Sequence, residues 1–165
     1  MKIETLQDLY MKELRDIYGS EKLLVKSLQK MMETADLTEL RQALENHLSE
    51  TRSHVARIEK IFQIHGEKPA GRNGKALDGI LREAEEDIAD TGNPAMRDTA
   101  IVAALQQIEH YEIAAYGTLQ AYATHLGHTE AGKLLQTSLQ EERAADRKLT
   151  EIALNYLRIE ATRTA

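Results

Sequence analysis

Glu112 is the first residue of this chain whose position asks for a chemical explanation. One series of steps of three and four residues through it meets apolar, small or aromatic side chains: Ile101, Leu105, Ile108, Ala115, Leu119 and Tyr122. A helix with such a stripe buries it, so the pattern calls for an apolar residue at position 112. A buried carboxylate is costly unless it is neutralised, paired or bound to a cation. The sequence therefore predicts a partner or a metal ion opposite Glu112.

An internal repeat supplies a second carboxylate of the same kind. A shift of 91 residues places Glu21 on Glu112 and Leu28 on Leu119, and it continues to match apolar positions in the helices that follow. Apolar matches are common between any two amphipathic helices, because both follow the same period. Two glutamates that both interrupt a stripe are harder to obtain by chance. The repeat therefore predicts that Glu21 and Glu112 have the same role at equivalent positions of the two hairpins.

The turns predict which residues share a layer with these glutamates. A turn near residue 36 makes Glu21 level with Glu50 or Thr51, and a turn near residue 127 makes Glu112 level with Glu142. If the two hairpins pack about a pseudo-two-fold axis, four glutamates meet at mid-length. Such carboxylates repel one another without a cation, and Lys and Arg are absent from these stripes. A carboxylate-rich, imidazole-poor set favours iron or manganese.

Two of the helices carry further candidate ligands. Asp146 follows Glu142 at i+4, where di-metal carboxylate bundles have a histidine in an i+3 pair. Glu50 lies about 120° from the centre of its stripe at ~3.6 residues per turn. His47 and His54 flank Glu50 on the same face. The alternatives are a carboxylate partly solvated at a helix seam and a histidine at the surface, and residue types alone do not choose between His47 and His54.

Long amphipathic stripes place all these residues on helices. Gly66 and Gly127 are natural stops, and Asp36 is the predicted N-cap of the second helix. Short turns make two antiparallel hairpins, and the segment 66–93 is long enough to run back along a bundle. We predict an all-α single domain, residues 1–165, built as a four-helix bundle with a long crossover that contains a short fifth helix. The predicted helices span residues 3–33, 37–65, 75–90, 94–126 and 129–158.

Composition excludes several classes of function. There is no cysteine, so thiol catalysis, disulfides and iron–sulfur clusters are excluded. A net charge of −6, an aromatic content of 4% and the absence of Trp argue against nucleic-acid binding. No signal region or long apolar span is present, so we expect a soluble, cytoplasmic protein that does not enter a membrane.

Four blocks of sequence carry a resemblance to a known family: 16–22 (DIYGSEK), 47–51 (HLSET), 109–119 (EHYEIAAYGTL) and 139–142 (LQEE) followed by Asp146. The chain resembles the bacterial ferritin-like proteins of the YciE/YciF type, often described as stress-induced, over nearly its whole length. The resemblance implies a ferritin-like fold with a dinuclear metal centre, and it favours His47 over His54. Many relatives have a cysteine in the crossover, which this chain lacks. The implied site residues are Glu21, His47, Glu50, Glu109, Glu112, Glu142 and Asp146.

These observations predict a di-iron or mixed iron/manganese protein that reacts with oxygen or peroxide and limits oxidative damage. The centre would hold two metal ions, and an external electron donor would supply electrons for turnover. A homodimer is expected from the prevalence of two-fold oligomers. The alternative is a non-enzymatic helical module for dimerisation or partner binding, with a structural metal or none. Iron storage would require a closed shell, and no sequence feature points to cage contacts.

Overall fold

The computed structural model describes residues 2–72 and 74–163, with side chains as far as Asn155. Within these residues the chain forms five helices and no strand. It is an all-helical protein, as predicted. None of the described helices combines the length and the apolarity that crossing a membrane requires. The helices are α1 (Leu6–Thr34), α2 (Thr38–Ile64), α3 (Lys75–Ala89), α4 (Pro94–His125) and α5 (Thr129–Arg163).

Local chemistry sets the helix ends. Thr5 and Asp8 form a capping box, so α1 begins at Leu6, three residues later than the sequence suggested. Gly66 and Gly127 have φ values of 68° and 75°, the left-handed conformation that glycine adopts freely after a helix. At the other end of the chain α5 continues to Arg163, beyond the expected limit at residue 158.

The start of α2 is capped from another helix. The prediction that Asp36 is the N-cap of α2 is wrong. The N-cap position is Leu37, whose side chain makes no capping hydrogen bond. The carboxylate of Asp98 in α4 accepts hydrogen bonds from the backbone N–H groups of Asp36 and Leu37, with N···O distances of 2.8 and 2.7 Å. Asp98 is 4% exposed, and its carboxylate satisfies donors that would otherwise be unpaired at the helix start. This contact ties the first hairpin to α4.

The four long helices contact one another in a ring. α1 packs on α2 and α4 packs on α5, while α2–α5 and α1–α4 contacts join the two pairs. α3 lies against α4 and α1. Two apolar clusters fill the interior, one containing Leu24 and Ile108 and the other containing Ile17 and Tyr116. Along α1 and α4 the clusters are separated by a layer of buried polar side chains, and that layer is the candidate site.

A close backbone approach fixes the crossover beside this layer. A Cβ atom on Gly19 would lie 1.8 Å from the carbonyl oxygen of Arg72, so only glycine fits. The Arg72 N–H donates to the carbonyl oxygen of Arg15 at 3.0 Å. One residue further along α1, the Ser20 hydroxyl lies 3.2 Å from the Tyr111 hydroxyl of α4. The crossover thus holds α1 in place immediately before Glu21.

Candidate metal centre

Six buried ionisable side chains from all four long helices form the polar layer. α1 provides one, α2 two, α4 two and α5 one, and each is at most 4% exposed. Each position is on the inner face of its helix, so the amphipathic pattern that buries the apolar neighbours buries these groups as well. They are Glu21, His47, His54, Glu109, Glu112 and Glu142.

The first group of potential ligands surrounds His47. Its Nδ1 atom lies 3.0 Å from Glu109 Oε1, and its Nε2 atom lies 3.7 Å from Glu112 Oε2 and 3.9 Å from Glu142 Oε2. One nitrogen or oxygen from each of these four residues lies within 4.8 Å of the others. Four ligand atoms at that spacing can surround a single cation.

The second group surrounds His54. Its Nδ1 atom lies 2.8 Å from Glu142 Oε1 and 3.3 Å from Glu21 Oε1. Glu142 therefore belongs to both groups, and its two carboxylate oxygens face different histidines. Glu142 could therefore contribute a ligand atom to either group.

Unpartnered buried atoms show that a metal fits this layer. Both oxygens of Glu109 and of Glu112 lack a hydrogen-bond partner, as do Glu21 Oε2 and His47 Nε2. His54 Nδ1 and Glu142 Oε1, which lie 2.8 Å apart as an ion pair, also have no other hydrogen-bond partner. Buried polar atoms are nearly always satisfied, so a set of this size calls for a ligand. Carboxylate oxygens together with two imidazoles form a donor set that could hold divalent metal ions.

Contacts outside the layer orient His54. Its Nε2 atom is 2.8 Å from Glu141 Oε2, and Arg57 holds both Glu141 oxygens, with Nη2 donating to Oε1 at 2.8 Å. Arg57 also donates to Ser138 at 3.2 Å. A carboxylate on the far nitrogen fixes the ring orientation of a metal-binding histidine. Nδ1 of His54 is thereby directed towards the centre.

Tyr116 closes the layer on the side of α1. Its hydroxyl donates to Glu21 Oε1, and its ring makes an edge contact with His54 at 5.5 Å between centroids. The phenol is fully buried, and burial together with the nearby carboxylates raises its pKa well above the usual value. Tyr116 therefore keeps its proton and remains a donor to Glu21.

Protons take the place of cations when no metal is bound. Burial raises the pKa of Glu112 well above its usual value and that of Glu109 to about 8. Burial alone would lower the pKa of His54, but contacts with Glu142 and Glu21 outweigh it and raise the pKa to about 11. Burial opposes ionisation of Glu142 too, yet His54 lowers its pKa. The metal-free layer thus holds extra protons.

Five of the seven sequence-predicted ligands meet in this layer: Glu21, His47, Glu109, Glu112 and Glu142. Glu50 is half-buried and lies outside both groups. Asp146 is 24% exposed and pairs with the surface residue His110, 3.2 Å from its Nε2 atom. His54, on which the family resemblance placed less weight, lies inside the second group. Its place was detectable from its position three residues after the inward-facing Thr51.

Fold and site together define an all-helical protein with a buried glutamate–histidine layer suited to metal ions. The chain belongs to the family described as Domain of unknown function (DUF892), whose profile matches residues 5–162. It is 38% identical over 166 residues to Protein YciF of Escherichia coli strain K12, covering all of both chains. The family resemblance found in the sequence is confirmed.

Solved structures show the same fold. The Escherichia coli stress protein YciF matches with a TM-score of 0.90 at 38% identity, over 94% of this chain and 99% of that one. YcfI from Rhodopseudomonas palustris, described as a structural protein, matches with a TM-score of 0.89 at 44% identity, over 90% and 95% of the two chains. A protein from Xanthomonas campestris, 20% identical, shares the fold with a TM-score of 0.76 over 97% and 99% of the two chains.

Proposed function

We propose that this chain is a single-domain, ferritin-like four-helix bundle that binds two metal ions, iron in the first place and manganese as the alternative. The observation that carries the proposal is the pair of buried ligand groups that share Glu142. Four glutamates and two histidines are also the number of ligands in dinuclear carboxylate centres of helical bundles, but here α2 supplies both histidines and α4 two of the glutamates. The unpartnered oxygens of Glu109 and Glu112 support it, because a cation would satisfy them.

We propose further that the centre reacts with oxygen or peroxide and limits oxidative damage. Iron or manganese held there would supply the electrons that reduce the oxidant. The protein's own groups orient and protect the site: Glu141 holds His54, Tyr116 donates to Glu21, and the two apolar clusters exclude water on either side. The description of the Escherichia coli relative as a stress protein agrees with this role. Because the chain has no cysteine, we expect an external reductant.

Metal analysis of purified protein tests the proposal directly. Protein prepared without chelator, or reconstituted anaerobically with ferrous iron, should contain two ions per chain. Glu142→Gln should lose both ions, because Glu142 serves both groups, whereas Glu21→Gln should lose one. Glu130→Gln, an exposed change on the same helix as Glu142, is the matched control. Less than one ion per chain in well-folded wild-type protein contradicts the proposal.

A second candidate function is a helical interaction module in which the metal is structural. The description of the Rhodopseudomonas palustris relative as a structural protein favours it. In that case metal raises the thermal stability of the protein, but the loaded protein does not consume peroxide when a reductant is present. Consumption of peroxide that Glu142→Gln abolishes and Glu130→Gln retains supports the oxidant reaction instead.

We also propose a cytoplasmic homodimer. Closed two-fold assemblies are the commonest homo-oligomers, and Met96 and Leu154 are large apolar side chains that are 44% and 52% exposed. Light scattering should give the mass of two chains. A monomer contradicts the dimer, and a closed shell of many chains supports iron storage.

A further inference from the structure

A cavity of about 160 Å³ leads towards the metal centre between α2, α4 and α5. Two of its lining residues, His47 and Glu109, belong to the first ligand group and are almost completely buried. Asn46 and Lys148, which are exposed, and Glu50, which is half-buried, line it as well. The cavity therefore extends from the surface to two of the ligand residues. In these two residues, Glu109 Oε1 and Oε2 and His47 Nε2 have no hydrogen-bond partner.

Small side chains create this opening. Ala43 of α2 and Ala144 and Ala145 of α5 line the cavity where the two helices face each other. Each presents a single methyl group, so the helices leave a gap that a larger apolar side chain would fill. Elsewhere the same two helices carry leucines into the core, such as Leu44 and Leu139, which do not line the cavity. The gap is thus a local feature of the level at which His47 lies.

A cation that reaches the inner end must exchange part of its hydration shell for protein ligands, because the donors of the centre bind it directly. A ligand on the way can replace some of those waters. Glu50 is the lining carboxylate available before Glu109, three residues after His47 on the same face of α2.

Charge at the surface end of the cavity does not oppose the entry of a cation. Lys148 is the lining residue that would repel a cation, but its Nζ atom lies 3.1 Å from Glu39 and 3.9 Å from Glu151. Two nearby carboxylates offset one ammonium charge. Lys148 therefore adds little positive charge at the surface end of the cavity.

We propose that this cavity is the route by which divalent metal ions reach the centre, and that Glu50 is a transfer ligand on that route. The inference rests on the proposed function, because it requires a metal at the centre. It accounts for the position of Glu50, which is close to His47 on α2 and yet belongs to neither ligand group. The ion passes from Glu50 to Glu109 and His47, whose unpartnered atoms replace its remaining waters.

The test measures rate and final occupancy separately. Chelated full-length protein is mixed with cobalt(II) in a stopped-flow instrument, and the visible absorption of the bound ion is followed to completion. Glu50→Gln should slow uptake on the order of tenfold, because it removes the attracting charge. Ala145→Leu, which places an isopropyl group in the gap, should slow both uptake and removal by chelator further. Ala153→Leu, the same change at another half-buried position on α5 that does not line this cavity, is the control and should bind like wild type.

All four proteins should reach the same final absorption. Uptake by both Glu50→Gln and Ala145→Leu at the wild-type rate overturns the route. Loss of one bound ion from Glu50→Gln at equilibrium also overturns the transfer role, because Glu50 would then be a resident ligand. Failure of the wild-type protein to bind cobalt or iron at all is a different result, which overturns the proposed function and this inference with it.

Discussion

Replacing Glu112 by Gln should stabilise the metal-free protein and destabilise the metal-loaded one. Glu112 is fully buried and both its oxygens lack hydrogen-bond partners. Burial, Glu142 and Glu21 raise its pKa well above the usual 4.5, so the metal-free protein takes up a proton at this position when it folds. Gln has nearly the same shape and never ionises. The substitution therefore removes the free-energy cost of taking up a proton on folding and leaves no cavity.

Proton linkage gives the magnitude of the gain. Taking up a proton on folding opposes folding by about 1.4 kcal/mol for each pH unit above the unfolded pKa. From pH 4.5 to about pH 7.5 this amounts to at most about 4 kcal/mol. His47, whose Nε2 atom is 3.7 Å from Glu112, lowers the pKa of Glu112 and so reduces the gain. We expect Glu112→Gln to stabilise the metal-free protein by about 1–4 kcal/mol at pH 7.5.

The pH dependence has a definite sign. The raised pKa of Glu112 means that the stability of the wild type falls as pH rises above 4.5, while the folded carboxyl keeps its proton and the unfolded one loses it. Gln removes that loss, so the difference between variant and wild type grows with pH. At about pH 5 it should be below about 1 kcal/mol. With metal bound the sign reverses, because an amide replaces a carboxylate ligand of the first group.

Thermal unfolding followed by circular dichroism measures both effects. For a domain of this size, each kcal/mol of added stability raises Tm by about 2–4 °C. Tm of the variant in chelator should therefore be higher by roughly 2–15 °C at pH 7.5. Reconstituted variant should bind one ion fewer and gain less from metal. Glu86→Gln, an exposed change on α3, controls for the loss of a negative charge. A lower Tm for chelated Glu112→Gln, or full metal occupancy in it, would refute the reasoning.

Three further predictions test the surroundings of the centre. His54 has a pKa of about 11 in the folded protein against 6.5 when free. The stability that protonated His54 gives to the folded protein is therefore complete below pH 6.5 and is lost as pH rises towards 11. The Tm of chelated protein should fall across that range of pH. Glu141→Gln should weaken metal binding by about 10–100-fold in a chelator competition, because the contact that orients His54 becomes weaker. Gly19→Ala should lower stability in urea by about 1–3 kcal/mol or more, because its Cβ would lie 1.8 Å from the Arg72 carbonyl oxygen, whereas Gly79→Ala, with open space around it, should stabilise by about 0.5–1 kcal/mol.

The sequence could predict much of the layer because its carboxylates obey helix geometry. Glu21 and Glu112 stand in the middle of regular stripes, and the 91-residue repeat relates them. Glu142 followed from its distance to the turn near residue 127, since residues equidistant from a tight turn are level in an antiparallel pair. Both inferences need only the rise and period of a helix. The structure places all three side chains in the buried layer.

Helix geometry alone could not predict which side chains of α2 enter the layer, or that Asp146 lies outside it. His47, Glu50 and His54 lie on one broad face, and which of them is buried depends on how closely α5 approaches at each level. The small side chains of Ala43, Ala144 and Ala145 leave Glu50 beside a cavity, and tight packing encloses His54. Such distances come from tertiary packing, which periodicity does not report. Asp146 likewise follows Glu142 by one turn and faces His110 instead of the centre.

The position of the layer explains how the chain tolerates it. Four carboxylates with unpartnered oxygens oppose folding, but apolar clusters on both sides bury enough surface to hold the helices around them. Without metal, protons on Glu109, Glu112 and the two histidines reduce the repulsion. A metal ion that binds there must displace those protons, so metal binding and proton release are one equilibrium. The residues that make the metal-free layer unfavourable are therefore the same residues that favour a bound cation.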